Sequence, residues 1–318
     1  MSLRAAWPNR RAGACARYNR ANFAAACAMA IHLIAVLVVF ALAQGLPDLS
    51  RLRDFSRLRV WLGVLTRVGG SARSVLGILV PVLLCLLIQL GLRGFLFGLL
   101  SFAFAVCVLW FSWGPRDLSE DVDGVIKAPD SERRIAAAQL LRPDGQEAPL
   151  PFEAPALVDA TFQSALKRWF GVLFWFLLLG PCGALLYRLT QLLAWSPGLA
   201  EVQSSEGRQF ARRVGLLLDW APAHLMALAL AVASDFDAVF HTWKNWHSRM
   251  GKGYLSLDLG FLSAIARASV DADVIAGDGY AEDINDPIVE LADARHLLAR
   301  VLIVWLAVTG LLVLGGWV

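Results

Sequence analysis

Charge is scarce in this chain. Of its 318 residues, 17 % are charged and 58 % are hydrophobic, too apolar for an ordinary soluble domain and fitting a polytopic membrane protein. The net charge is only +3, which gives no reason to expect a nucleic-acid partner. Thiol and metal patterns are missing too. Cys15, Cys27, Cys85, Cys107 and Cys182 show no CxxC or CxxH spacing, so neither a disulfide framework nor a zinc site is expected. Three of them lie inside apolar runs and read as small packing residues. No HExxH, no Ser/His/Asp order, no Gly-rich phosphate loop and no internal repeat stands out, which removes the usual signatures of hydrolases, P-loop proteins and solenoids.

The stretch from Arg168 to Trp195 organises what is present. The 19 residues between Arg168 and Arg188 carry no formal charge. At about 1.5 Å each they make roughly 28 Å of helix, close to the hydrocarbon thickness of a bilayer. Arg168 and Arg188 can snorkel to headgroups, and Trp169 and Tyr187 stand where interfacial aromatics belong. Gly180-Pro181-Cys182-Gly183 interrupts the run. Pro181 removes a backbone donor, so a kink is expected there, with small residues that either admit a neighbouring helix or line a polar space.

Comparable runs place about six spans, at 29–46, 74–91, 94–113, 169–193, 214–234 and 298–318. The expected fold class is all-α, a polytopic helical bundle forming a single membrane domain over 29–318, with cytoplasmic helical segments at 47–73, 114–168 and 235–297. Residues 1–28 form an Ala- and Arg-rich arm, disordered or artefactual. The basic start, apolar run and Ala41-Leu42-Ala43 read as a signal peptide or as an uncleaved first span, and Met29 as an alternative start. Gln89 inside the second span should hydrogen-bond a neighbour. Asp219 leaves 214–234 open, as a span with a buried acid or as a re-entrant segment. Leu49, Leu52, Phe55, Leu58 and Leu62 recur at helical steps beside arginines, giving an interfacial amphipathic helix. The three large connectors hold 18 basic residues against five in the short ones (Arg93, Arg188, Arg208, Arg212 and Arg213). The basic side is therefore expected in the cytoplasm of a bacterial inner membrane, with the lipid bilayer as the first partner.

Four charged residues are candidate ligand-binding groups: Arg116, Asp117, Asp121 and Asp219. On a helix Asp117 and Asp121 share a face. Two carboxylates beside Arg116 can hold Mg²⁺ on a phosphate substrate, or they are acids near the positive end of a helix. Asp219 costs about 2.5–3.5 kcal/mol at mid-bilayer on insertion scales, so it is paired or used; Arg212 and Arg213 can neutralise it. His224 reads as a packing residue. His241 and His247, six apart, lie on different helix faces, and no metal site is expected.

Three blocks resemble the AmpE family: Trp113-GPRDLSEDVDG, Phe170-GVLFWFLLLGPCGALLYRL and Leu217-LDWAPAHLMALALAV. The opening MAIHLIAVLVVFALAQGLPDLSRLRDF is similar too, so the resemblance covers roughly residues 29–318. It implies an inner-membrane regulatory or signalling protein linked to β-lactamase induction and the response to β-lactams or cell-wall stress. A membrane or cell-wall-recycling protein is then the expected partner, with no cofactor. That family in turn resembles the CobD/CbiB cobinamide-phosphate synthases, membrane ligases that use ATP and Mg²⁺ to join an aminopropanol phosphate to a corrinoid side chain. The shared parts are the LFWFLLLG-P-GALLYRL and LDW-P-A-L blocks. Where the synthases carry a Glu-Asn pair and an Asp, this chain reads Gln163, Ser164 and Lys167, and their Ser-Arg-Asp motif is not evident. The alternative this resemblance implies is a Mg-ATP-dependent ligase on an unknown substrate.

Overall fold

A computed structural model describes residues 30–42, 56–65, 68–92, 98–114, 116–143, 145–146, 148–251, 253, 256–276 and 286–315. The 1–28 arm, the connector at 47–55, the turn at Arg93 and much of the loop at 271–286 lie outside them. The described residues are helical and contain no strand, an all-α fold. The helices are α1 (Ala30–Leu42), α2 (Ser56–Val64), α3 (Gly70–Gly91), α4 (Leu99–Ser112), α5 (Leu118–Ile126), α6 (Ser131–Ala138), α7 (Ala154–Ala165), α8 (Gly171–Leu179), α9 (Pro181–Trp195), α10 (Ser205–Ala233), α11 (Phe236–Met250), α12 (Gly260–Ala276) and α13 (Pro287–Leu314). Three of them, α3, α10 and α13, are long and apolar enough to cross a membrane, while α1 and α4 are shorter apolar helices.

Local sequence explains where these helices start. Asp117, Asp130, Asp235 and Asp286 each turn a carboxylate back onto a free N–H of the first turn, at α5, α6, α11 and α13. Ser204 does the same for α10 through Gly207 N, satisfying donors that have no partner inside the helix. Pro287 opens α13 behind the Asp286 cap, and the helix runs unbroken past Arg300.

The run expected as one kinked span over 169–193 is different. Residues 154–179 form one continuous helical stretch, α7 and α8, joined by a π-turn at Leu166–Phe170. The chain then breaks at Gly180, whose φ is 70°, a left-handed value that favours glycine. Pro181 opens α9 at a position where no N–H is needed. Beyond Gly180 the chain reverses. A Cβ at Gly171 would lie 2.2 Å from the Tyr187 hydroxyl, and one at Gly183 would lie 2.0 Å from the carbonyl oxygen of Trp175. A straight helix would hold positions 171 and 187 roughly 24 Å apart. So α8 and α9 form a tight hairpin, and glycines let its arms touch.

The reversal moves both ends of the segment to one face. Trp195 packs against Gly145 and under Lys167. The connector at 194–213, expected opposite residues 114–168, therefore shares their side. Arg188 and Tyr187 are not interfacial anchors: they are 3 % and 0 % exposed. Nor does Arg168 snorkel, because it is ion-paired to Asp121.

Helix α3 runs antiparallel to α9. Gln89 accepts a hydrogen bond from the Cys182 thiol, 2.6 Å, the neighbour its place in an apolar run called for. At the other end Gly77 meets Leu62 and Leu193. The starts of α3 and α10 are clasped where Gly207 leaves room for the Ser74 hydroxyl. These contacts build a small core of α2, α3 and α9 with the start of α10. A larger core joins α5, α7, α8, α10, α12 and α13.

Candidate functional site

The acidic block after α4 resolves into two separate local structures. Asp117 is the N-cap of α5, accepting from Ser119 N at 2.9 Å. Lying outside the helix, it does not share a face with Asp121, and the paired-carboxylate reading lapses. Asp121 has a fully buried side chain clamped by two guanidiniums. Arg116 Nε donates to one oxygen at 2.8 Å and Arg168 Nη1 to the other at 2.6 Å. Arg168 also donates to the Leu140 carbonyl. Both carboxylate oxygens are engaged, so Asp121 ties α5 to the π-turn instead of facing a ligand. Asp123 is similarly occupied by Lys127 and Arg295.

Asp219 lies elsewhere. It is 1 % exposed, and its Oδ1 accepts from the Tyr187 hydroxyl at 2.6 Å and from Gln191 Nε2 at 2.8 Å. The hairpin supplies both donors, one turn apart on α9. Arg212, expected as a neutralising partner, turns away: its Nε donates to the Ala194 carbonyl and its guanidinium stacks 5.1 Å from the centre of the Trp195 ring. Among the described residues the cation that lines the same cavity as Asp219 is Lys167.

Asp219 and Lys167 line one cavity of about 340 Å³ with Gln163, Gln146, Trp195 and Gly260 among its walls. The π-turn makes this possible. A wide turn within a helix frequently marks a functional position because it re-aims side chains. Here it sends Lys167 into the cavity while its neighbour Arg168 reaches Asp121. Gln163 also bonds the Ser263 hydroxyl at 3.1 Å, fixing α12 along the wall. Ser164 donates to the Leu141 carbonyl and is structural.

Thus the structure joins Arg116 with Asp121, places Asp117 in a cap, and puts Asp219 in a cavity with partners not chosen from the sequence. Lys167, Gln163, Tyr187 and Gln191 are the additions. Two of them carried a signal, since the resemblance to the synthases aligns Gln163 and Lys167 with acids. His224 is the packing residue expected: its Nδ1 engages the Trp220 carbonyl at 2.8 Å and its ring packs on Phe261, and Trp243, Trp246 and His247 also pack on Phe261.

The chemistry of the cavity does not fit a magnesium ion held by protein carboxylates. Asp219 is the one carboxylate among its described lining residues, and Lys167 puts a positive charge beside it. Among the described residues no group of three His, Cys, Asp or Glu could hold a metal ion. What the cavity offers is a fixed cation, an oriented carboxylate, two amides and an indole face, a set suited to an anionic group and a hydrogen-bonding partner.

Comparison with known proteins agrees with one side of the resemblance. The sequence model of the family described as CobD/Cbib protein matches residues 36–268, which include all the cavity residues named above. A cobalamin biosynthesis protein CobD from Stutzerimonas stutzeri (strain A1501) is 27 % identical over 232 residues, or 67 % of this chain and 72 % of that protein. One from Chromobacterium violaceum is 27 % identical over 177 residues, covering 51 % of this chain and 57 % of its own length. The chain therefore spans a little over half the length of that second relative. No solved structure matches the chain. These relatives give no support to the AmpE assignment.

Proposed function

The chain belongs to the CobD/Cbib family, and from that membership we propose that it is a membrane enzyme of the ligase type, using the cavity between Asp219 and Lys167. The observation that carries this reading is convergence. Gln163 and Lys167, at the positions where the synthases bear polar residues, meet Asp219 of the shared LDW block in one cavity. Lys167 gives a phosphate or carboxylate a fixed counter-charge. Asp219, held in one orientation by Tyr187 and Gln191, can accept a hydrogen bond from an amine substrate. A ligation of this kind consumes Mg-ATP. With a lysine where a second acid would stand, no step is assigned to a protein-held metal. Gln163, Ser164 and Lys167 stand where the resemblance puts a Glu-Asn pair and an Asp in the synthases, so the substrate need not be theirs, and we place the protein in a bacterial inner membrane.

Calorimetry with Mg-ATP on the detergent-purified full chain tests the proposal. Binding is expected in the wild type, with loss in Lys167→Ala and in Asp219→Asn. Heat that is absent in the wild type, or unchanged in both folded variants, would remove the ligase reading.

One observation favours a second reading. Lys167 lines the cavity and Asp219 is the one carboxylate among its described lining residues, a set that can receive an anion without a metal. A receptor of that kind suits a regulator of β-lactamase induction that senses a cell-wall-derived anion. A deletion strain with unchanged β-lactamase induction would dispose of it.

A further inference from the structure

A second polar cavity, of about 530 Å³, opens where α10 begins, lined by Gln203, Glu206, Arg208, Gln209 and Arg212 among others. Arg208 and Arg212 are one turn apart on the same helix, and neither has a carboxylate partner among the described residues. Glu206 does not neutralise them. Its carboxylate leans the other way, so that a Cβ on Gly70 would lie 3.0 Å from its Oε2, at the positive start of α3. Gln203 is 9 % exposed, its Nε2 bonds the Ser74 hydroxyl, and its Oε1 is buried without a partner. A hydroxyl can serve either end of an amide, so Gln203 is free to turn its NH₂ toward an incoming oxygen. Two guanidiniums without a carboxylate partner, an amide with one unbonded end and the N-terminal turn of a 29-residue helix form a phosphate-binding combination.

This cavity also adjoins the first one. Trp195 lines the Asp219 cavity, and its ring is shared by Lys167, 4.6 Å away, and Arg212, 5.1 Å away. Two cations on one indole leave positive charge on both sides of the partition. We propose that the cavity at the start of α10 is a phosphate subsite, separated from the Asp219 cavity by Trp195. In the ligase reading, on which only the word substrate rests, it takes the phosphate end of one substrate while the reacting end lies past the indole. The phosphate can belong to a soluble molecule or to a lipid headgroup, because α10 is also long and apolar enough to cross a membrane.

The test is pyrophosphate calorimetry on the full chain in neutral detergent and in phosphatidylcholine discs. Binding is expected to weaken about tenfold or more in Arg208→Gln and in Arg212→Gln, the loss of a charged hydrogen bond. Lys244→Gln, an exposed cation on α11, should leave it unchanged. Discs containing phosphatidylglycerol identify the source. Competition with pyrophosphate there assigns the site to a headgroup, and equal binding in both discs assigns it to a soluble phosphate. The proposal falls if Arg208→Gln, eluting and melting as the wild type, binds pyrophosphate and retains phosphatidylglycerol equally well. Failure of the ligase reading looks different: Mg-ATP binding indifferent to Lys167→Ala, with the pyrophosphate result intact.

Discussion

The Tyr187 hydroxyl donates to Asp219 Oδ1 at 2.6 Å, joining the returning arm of the hairpin to the acid of α10. Both groups are fully buried or nearly so. Tyr187→Phe removes one of the two donors on that oxygen and should destabilise the protein by about 1–3 kcal/mol, the usual cost of an under-satisfied buried acceptor. Thermal unfolding in detergent reads the loss. Ligand affinity should fall with it, because Gln191 alone does not fix the carboxylate.

Gly171→Ala should lower Tm even though alanine is the better helix former by about 1 kcal/mol. The added methyl would meet the Tyr187 ring and hydroxyl, both within 3 Å, and push the arms of the hairpin apart. An unchanged or raised Tm would mean that α8 and α9 are not packed this closely.

The two arginines on Asp121 are unequal. Arg168→Ala leaves a buried carboxylate without its inner partner and should cost about 3–5 kcal/mol. Arg116, with a side chain 57 % exposed, should cost under about 1 kcal/mol when replaced by alanine. Equal losses in denaturation experiments would contradict the burial seen here.

Asp159 makes stability depend on pH. Burial raises its carboxyl above the ordinary value, and Arg267, 3.1 Å away, pulls it down only in part. A folded-state value above the unfolded one favours the fold below about pH 3.8, and this contribution is lost as pH rises through the folded value. Asp159→Asn should therefore gain on the wild type as pH rises from 4 to 7, measured by Tm at each pH.

Reversal at Gly180 has a topological signature. Cysteines placed at Gln146 and Glu201, both exposed, should react with an impermeant maleimide from the same side of the membrane. Labelling from opposite sides would restore a single crossing over 169–193.

What the sequence disclosed was local. The caps Asp130 and Asp286 are of this kind, because a cap depends on residues within one turn. Asp219 stood out because a charge in an apolar run has few uses. Gly180-Pro181 marked a break, but nothing nearby could tell a bend from a reversal, which depends on Gly171 meeting Tyr187 sixteen residues on. Tyr187 itself looked like an interfacial aromatic by position alone. The direction of Lys167 depends on a π-turn that leaves no clear mark in LKRWF.

That wide turn has a further consequence. It makes the α7–α8 rod carry one residue more than a regular helix of its length, so each half is set at its own rotation. Shortening the turn by a single residue would keep the rod helical but swivel its far half by about 100° relative to the near one. Trp175 and Gly171 would then no longer face their partners. The spare residue acts as a register key for the whole hairpin, and evolution cannot delete it without dismantling the wall behind Asp219.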